Sequence, residues 1–508
     1  MKRPDRSPLT SLLALSALLG APALAHEPSA GDAAPELGAG PSSAFVLEAA
    51  PGGGVSCRPA SSDEARALAR RPDVPLKFIT PLGKRTVNAN GFRINLRATA
   101  QLDAFPEAKA AFIRAAQFWE SKIASPVSII IDVDYGPTRF GEPWPSPNVI
   151  GSASGQSVGG NGLWSQLRQG FVSTANGSSE SALLSQLPSS SISTSLGSTS
   201  YILGASAPFR ALGLLAASAD PATETNLGDP PNIGFNSAFS FDFNPDDGVG
   251  SSLTDFDTTA VHEIGHVLGF SSNAGMRELS PTFPIAVTTL DVFRFQPGQG
   301  PANFSGASRV LSSGGTQVFW AGGAELQFST GRPDGSGGDG QQASHWKADE
   351  KTGTYVGLMD PTIAPGERGQ FTANDQAAFE ALGWKMGSGG GTGSCTPDDT
   401  TLCLYGGRFK VQATYRDYSN NTGNARAVSL TPDSGYFWFF DSANVELVAK
   451  IVSFCSGSSG QYGLYASGLT DVEVTFQVTD TQSGTYVEKT NPLGNRFCTI
   501  GEALPVCP

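Results

Sequence analysis

Histidine is scarce in this chain: four in 508 residues, at positions 26, 262, 266 and 345. Charge is scarce as well, with Asp, Glu, Lys and Arg at 16 % and a net charge of −13. With acidic residues in excess, the chain lacks the basic surface by which nucleic acid or an anionic membrane is recognised. The apolar run at residues 9–19 is too short for a membrane span, and no other run is long and apolar enough to cross a membrane. Phosphate-cradling glycine loops and Ser or Cys nucleophile signatures have no clear counterpart. Glycine and proline are plentiful, at 61 and 35, as in a loop-rich protein outside the cell.

The few histidines are not scattered. Residues 261–270 read V-H-E-I-G-H-V-L-G-F and carry His262, Glu263, His266 and Gly269. Val261, Ile264, Val267 and Leu268 recur at helical spacing. Asp257, Thr258 or Thr259 can cap the start, and Gly269 can end the helix. Histidines four apart lie about one turn apart on one face, so both imidazoles can reach a single zinc ion. Glu263 is placed to take a proton from a zinc-bound water. The bland alternative is a buried histidine pair with ordinary partners. Histidine usage argues against it: with His26 in a processed leader, one metal site accounts for all the others.

A catalytic zinc site has three protein ligands and a water. The position six residues after His266 is Ser272, a poor ligand. The remaining histidine is His345, in A-S-H-W, 79 residues after His266. Glu278 is an alternative third ligand, although Arg277 beside it suits an ordinary surface pair. Met359 follows in L-M-D-P. The motif H-E-x-x-H-x-x-G-F, an insertion, a third histidine in S-H-W and then a methionine, in that order, resemble the leishmanolysin-like metzincins over residues 76–384. L-D-V-F-R at 290–294 is similar to a block in a broader set of secreted bacterial metalloproteases. The resemblance implies an α+β metzincin-like domain with a twisted mixed sheet, a zinc helix and a methionine turn. It implies zinc held by His262, His266 and His345, with Met359 as an apolar floor. The implied activity is that of a metalloendopeptidase, hydrolysing protein or peptide substrates by a zinc-bound water that Glu263 activates. The alternative function is a catalytically inactive secreted zinc-fold adhesin or binding protein. No tyrosine lies just after Met359, where some metzincins keep an additional ligand.

Around this centre the chain divides by composition. Residues 1–25 read as a signal peptide: Lys2, Arg3 and Arg6, an apolar run, then Ala23-Leu24-Ala25 as a cleavage site. Export makes the six cysteines candidates for disulfides. Residues 26–75 have no apolar period and read as a disordered or pro-segment. Cys57 within it either joins a C-terminal cysteine or acts as a latency switch, its thiolate filling the open zinc position. Residues 76–386 form the metzincin-like domain. A strand at 92–97, a helix at 105–123 and a buried strand at 127–133 imply a parallel pair with a crossover. The stretch 151–199 is Ser- and Gly-rich, with a short helix expected near 182–187, and is placed over one side of the cleft. Residues 232–243 alternate as a strand, which the resemblance places at the upper edge of the cleft, where an extended substrate pairs.

Asp242, Asn244, Asp246, Asp247, Asp255 and Asp257 are oxygen donors of the kind Ca2+ takes. The twelfth position of a loop starting at Asp242 is Leu253 rather than Glu, so a solvated turn is the preferred reading. Residues 290–295 read as a strand, and Thr372 with Asp375 caps a helix running to 382. A Gly/Ser linker at 387–394 leads to an all-β, sandwich-like domain at 395–508. Within it Cys403 is expected to pair with Cys455, and the domain resembles a recurrent accessory module of secreted bacterial proteins. In the run 436–440, alternate rings should pack inward.

Overall fold

The computed structural model describes residues 37–506, except 51–54, 70–73, 81–90, 220–226, 228–229, 246–247, 332–336, 387–394, 454–460, 482–485 and positions 396 and 406. The expected signal peptide, 1–25, and the expected linker, 387–394, lie outside the described residues. The protein is mixed α and β, with one large mixed sheet and several smaller sheets. Among the described residues no helix is long and apolar enough to cross a membrane.

The large sheet has nine strands. In chain order they are β1 (Gly38–Ala49), β2 (Val55–Pro59), β3 (Lys77–Phe78), β4 (Arg93–Ala98), β5 (Ser128–Gly136), β6 (Val149–Gly160), β7 (Ile202–Gly204), β8 (Asn232–Asn236) and β9 (Thr362–Ile363). Across the sheet they run β9-β2-β1-β6-β8-β5-β4-β3, with β7 paired to β6. As the sequence implies, β4 and β5 are parallel and β8 continues the parallel run, whereas β6 is antiparallel to β8. All nine residues of β5 are buried, which suits a strand covered on both faces.

The main helices are α1 (Ser62–Ala69), α2 (Pro106–Lys122), α3 (Trp164–Thr174), α4 (Ser178–Leu184), α5 (Ser206–Ala211), α6 (Phe256–Val267) and α7 (Ala373–Ala381). Proline at the first position of α2 is pre-set for a helical φ, and Ile123, extended, ends it. Its buried face, Ala108, Ala111, Phe112, Ala115, Ala116 and Trp119, packs against α6. The Trp119 indole N–H donates to the Val261 carbonyl at 2.9 Å, tying α2 to the histidine helix.

Three expectations need correction. Residues 38–50 and 55–69 are not a disordered segment: β1 and β2 extend the central sheet, and α1 packs beside them. Val46, Leu68 and Val149 form a small apolar cluster there, and Arg58 bridges Glu48 and Glu64. A period search misses β1 because its first half is Gly-, Pro- and Ser-rich; partners on both sides hold it. The Ser- and Gly-rich stretch 151–199 continues β6 and then carries α3 and α4, the latter overlapping the short helix expected near 182–187. The strand before the histidine helix is not an edge, because β8 lies between β5 and β6. Residues 290–295 form a 3-10 turn, Asp291–Phe293, with only a two-residue strand after it.

The C-terminal region has two five-stranded antiparallel sheets whose inner faces share one apolar core. Phe437 and Phe439 are buried there, while Phe440 is 52 % exposed. Cys395 bonds Cys403, correcting the expected Cys403–Cys455 pair; Cys455 lies outside the described residues. The bonded cysteines lie eight positions apart in the chain, so the bridge closes a local loop.

Candidate metal centre

Helix α6 begins at Asp255, whose carboxylate accepts the Thr258 N–H at 3.0 Å, two residues earlier than the nearest cap that the sequence suggests. Gly269, at φ +105°, ends the turn in a region closed to side chains without strain. The whole of α6 except Asp257 is buried. Gly265 lets the helix approach the buried Met359: a methyl on it would stand 2.5 Å from Met359 Sδ.

The fold brings His262, His266 and His345 together. Their three Nε2 atoms are 3.1 Å from one another. Each Nδ1 faces a carbonyl: Leu358 at 2.9 Å, Phe270 at 2.7 Å and Gln342 at 3.0 Å. A carbonyl only accepts, so each Nδ1 carries the proton and each Nε2 turns a lone pair inward. Burial pulls His262 down to about 4, and it pulls His266 and His345 well below the usual imidazole range, aided by their histidine neighbours. The three rings are therefore neutral donors at pH 7. Converging lone pairs repel unless a cation sits between them. Zinc held at about 2.0–2.1 Å by tetrahedrally arranged nitrogens would set them about 3.3 Å apart. The donor set fits that ion closely.

Glu263 is wholly buried, and neither carboxylate oxygen has a hydrogen-bond partner. Burial pushes its carboxyl up to about 8. One of its oxygens lies within 4.8 Å of ligating atoms of His262 and His266. A buried carboxylate without a partner is costly, and a cation beside it would relieve the cost.

Cys57 is also here. It is buried and free, and its Sγ lies within 4.8 Å of ligating nitrogens of His266 and His345. That corrects the expectation of a disulfide to the C-terminal region. Burial, then Glu263, holds the thiol pKa well above its usual range. Strand β2 carries Cys57, and its N–H donates to the Pro361 carbonyl at 2.9 Å. In β1, Leu47 pairs with Cys57 and Phe45 stacks on the His266 ring at 4.8 Å. The hairpin β1–β2 thus bridges β6 and β9, on either side of the centre.

The position of His345 depends on residues whose roles the motif does not announce. Trp346 N–H donates to the Met359 carbonyl at 2.9 Å, and its indole N–H donates to Asp375 at 2.8 Å. Asp375, the third residue of α7 and the partner of Thr372 in its capping box, also accepts the N–H groups of Leu358 and Thr372, both at 2.8 Å. The capping box was visible in the sequence; the link to Trp346 was not. Ser272 is no ligand: its N–H donates to Ser344 Oγ and its hydroxyl to the buried Asp291. Glu278 is exposed and accepts the Ser313 N–H at 2.9 Å, so it is not the third ligand.

The acidic run near Asp242 forms a turn with partners of its own. Asp242 accepts the Asn244 and Gly250 N–H groups, Asp255 pairs with Arg368, and Asp257 pairs with Arg114. Asp246 and Asp247 lie outside the described residues. A further carboxylate group, Asp349, Glu350 and Asp360, also has its oxygens within 4.8 Å of one another. No family model, curated protein or solved structure matches the chain.

Proposed function

We propose that this protein is an exported zinc-dependent metalloendopeptidase of the metzincin, leishmanolysin-like type, in a latent form. The observation that carries the reading is the Nε2 triad, with a wholly buried, unpartnered Glu263 beside it. A passive zinc site has no use for a desolvated carboxylate at that position. When bound, zinc supplies a water of lowered pKa and polarises the scissile carbonyl. His262, His266 and His345 would hold it, each oriented through its Nδ1–H. Burial alone keeps the Glu263 carboxyl protonated near neutral pH, and a cation held by the three imidazoles would return it to the ionised form, in which it accepts the proton of the attacking water and passes it to the leaving amine. Cys57 supports latency, since its thiol sits among the same donors and would exclude water from the open position. The segment 26–75, which contributes β1, β2 and α1, then acts as a pro-segment, and the leader at 1–25 directs export.

A second reading has one observation in its favour. Counting Cys57, the donor set is three histidines and one cysteine, that of a closed structural site, as in a zinc-stabilised adhesin or binding protein. The test is casein cleavage by the zinc-loaded full chain after release of the Cys57 thiol with an organomercurial. Activity above the untreated chain, abolished in Glu263→Gln at equal zinc content, is the expected result. No cleavage at full zinc content overturns the enzyme reading.

A further inference from the structure

Asp291 and Arg294, in the run L-D-V-F-R, are both wholly buried. In a strand, residues three apart face opposite ways. The 3-10 turn Asp291–Phe293, with about three residues per turn, instead sets both side chains on one side. Arg294 Nε lies 3.8 Å from Asp291 Oδ1. Burial opposes both charges, pushing the Asp291 carboxyl up and pulling the Arg294 guanidinium down to about 10. Well-packed apolar side chains often serve stability as well as such a pair. Its use therefore lies in what the two charged groups hold.

They hold two different segments. Asp291 accepts the Ser272 hydroxyl and the N–H groups of Asn273 and Thr288, both at 3.0 Å, fixing the chain just past the end of the histidine helix. Arg294 donates to the Ala343 carbonyl and, at 2.7 Å, to Gln317 Oε1. Its guanidinium lies 3.9 Å from the centre of the Phe328 ring, which stacks on Trp346 at 5.3 Å. Ser329, next to Phe328, donates its N–H to the His345 carbonyl at 3.0 Å. Arg294 thus holds the chain on both sides of His345, at Ala343 directly and at Trp346 through Phe328. From this we infer that the buried Asp291–Arg294 pair positions the third ligand: it ties the segment carrying His345 to the end of the histidine helix, so that the imidazole stands in place before a metal arrives. Both are positioning residues, not ligands. The inference rests on the zinc centre of the peptidase reading.

The test is a double-mutant cycle on the full chain, read by zinc titration against a competing chelator. Asp291→Asn should lower zinc affinity about 10–100-fold, the loss typical when a group that orients a ligand is removed. In a chain already carrying His345→Ala, the same change should alter affinity by less than about threefold, because no third ligand is left to position. Arg294→Lys keeps the charge but loses the planar fork that reaches Ala343 and Gln317 together. It should lower affinity about tenfold, again only while His345 is present. This milder change decides the matter if Asp291→Asn fails to fold. The visible absorption of the cobalt(II)-loaded Asp291→Asn chain should move toward that of the His345→Ala chain, a shift that loss of stability alone does not produce. Equal losses of affinity in both backgrounds, or unchanged affinity and cobalt spectrum in the single variants, overturn the positioning role. Absence of casein cleavage at full zinc content overturns the peptidase reading alone, since none of these measurements uses turnover.

Discussion

Asp375 is the most informative residue to change outside the donor set. Its buried carboxylate gathers the Trp346 indole N–H and the backbone N–H groups of Leu358 and Thr372, each at 2.8 Å. Trp346 follows His345, Leu358 offers its carbonyl to His262, and Thr372 opens α7. In Asp375→Ala these three donors lose their acceptor in a site too dry to replace it. At about 1–3 kcal/mol for each stranded donor, and allowing for local relaxation, the change should cost about 3–5 kcal/mol. Metal affinity should fall about 10–100-fold, as it does when a group orienting a ligand is lost. Asp375→Asn keeps the shape and one acceptor oxygen, so it should lose only about 1–2 kcal/mol. Urea unfolding followed by tryptophan fluorescence measures the first effect, and zinc titration against a competing chelator measures the second. Activity per bound zinc should stay within a few-fold of wild type, because Asp375 does not touch the centre. An Asp375→Ala chain with unchanged unfolding midpoint and zinc affinity would refute the reasoning. It would mean that contacts outside this network, such as His345–Gln342, hold the third ring in place.

Cys57→Ser, which removes the strongest competing donor while leaving the hairpin in place, should raise peptide cleavage by the full chain at least about tenfold, the effect of about 1.4 kcal/mol less occlusion; unchanged activity at equal zinc content would count against latency. Acid should release the metal. Burial holds His262 at about 4 against an ordinary 6.5, so the unfolded chain takes up its proton first as pH falls. The stabilisation from keeping this imidazole neutral is complete above pH 6.5 and drains away as pH falls through about 4. Zinc per chain, measured after equilibrium dialysis, should decline across that window, and full retention at pH 4 would contradict it.

Several features were legible in the sequence because they rest on local periodicity or on a rare residue type. The histidine helix, the buried glutamate beside its first histidine and its terminal glycine follow from spacing within ten residues. The parallel pair β4–β5 follows from a strand–helix–strand pattern, and the capping box of α7 from Thr372 and Asp375. His345 came from elimination, which works only in a chain with so few histidines. Tertiary structure alone decided the rest. Nothing near Cys57 announces that its thiol lies among the imidazoles: the approach depends on pairing β1 with β6 and β2 with β9, across about 100 and 300 residues of chain. Sheet edges are likewise invisible locally, since β6 and β8 differ in their neighbours and not in their own character. Gly- and Ser-rich strands such as β6 have little β preference of their own and take their conformation from the ladders on either side. Spacing can place two imidazoles on one helical face. Which carbonyl orients each ring and which strand lies beside which are long-range contacts, set by the packing of the whole core.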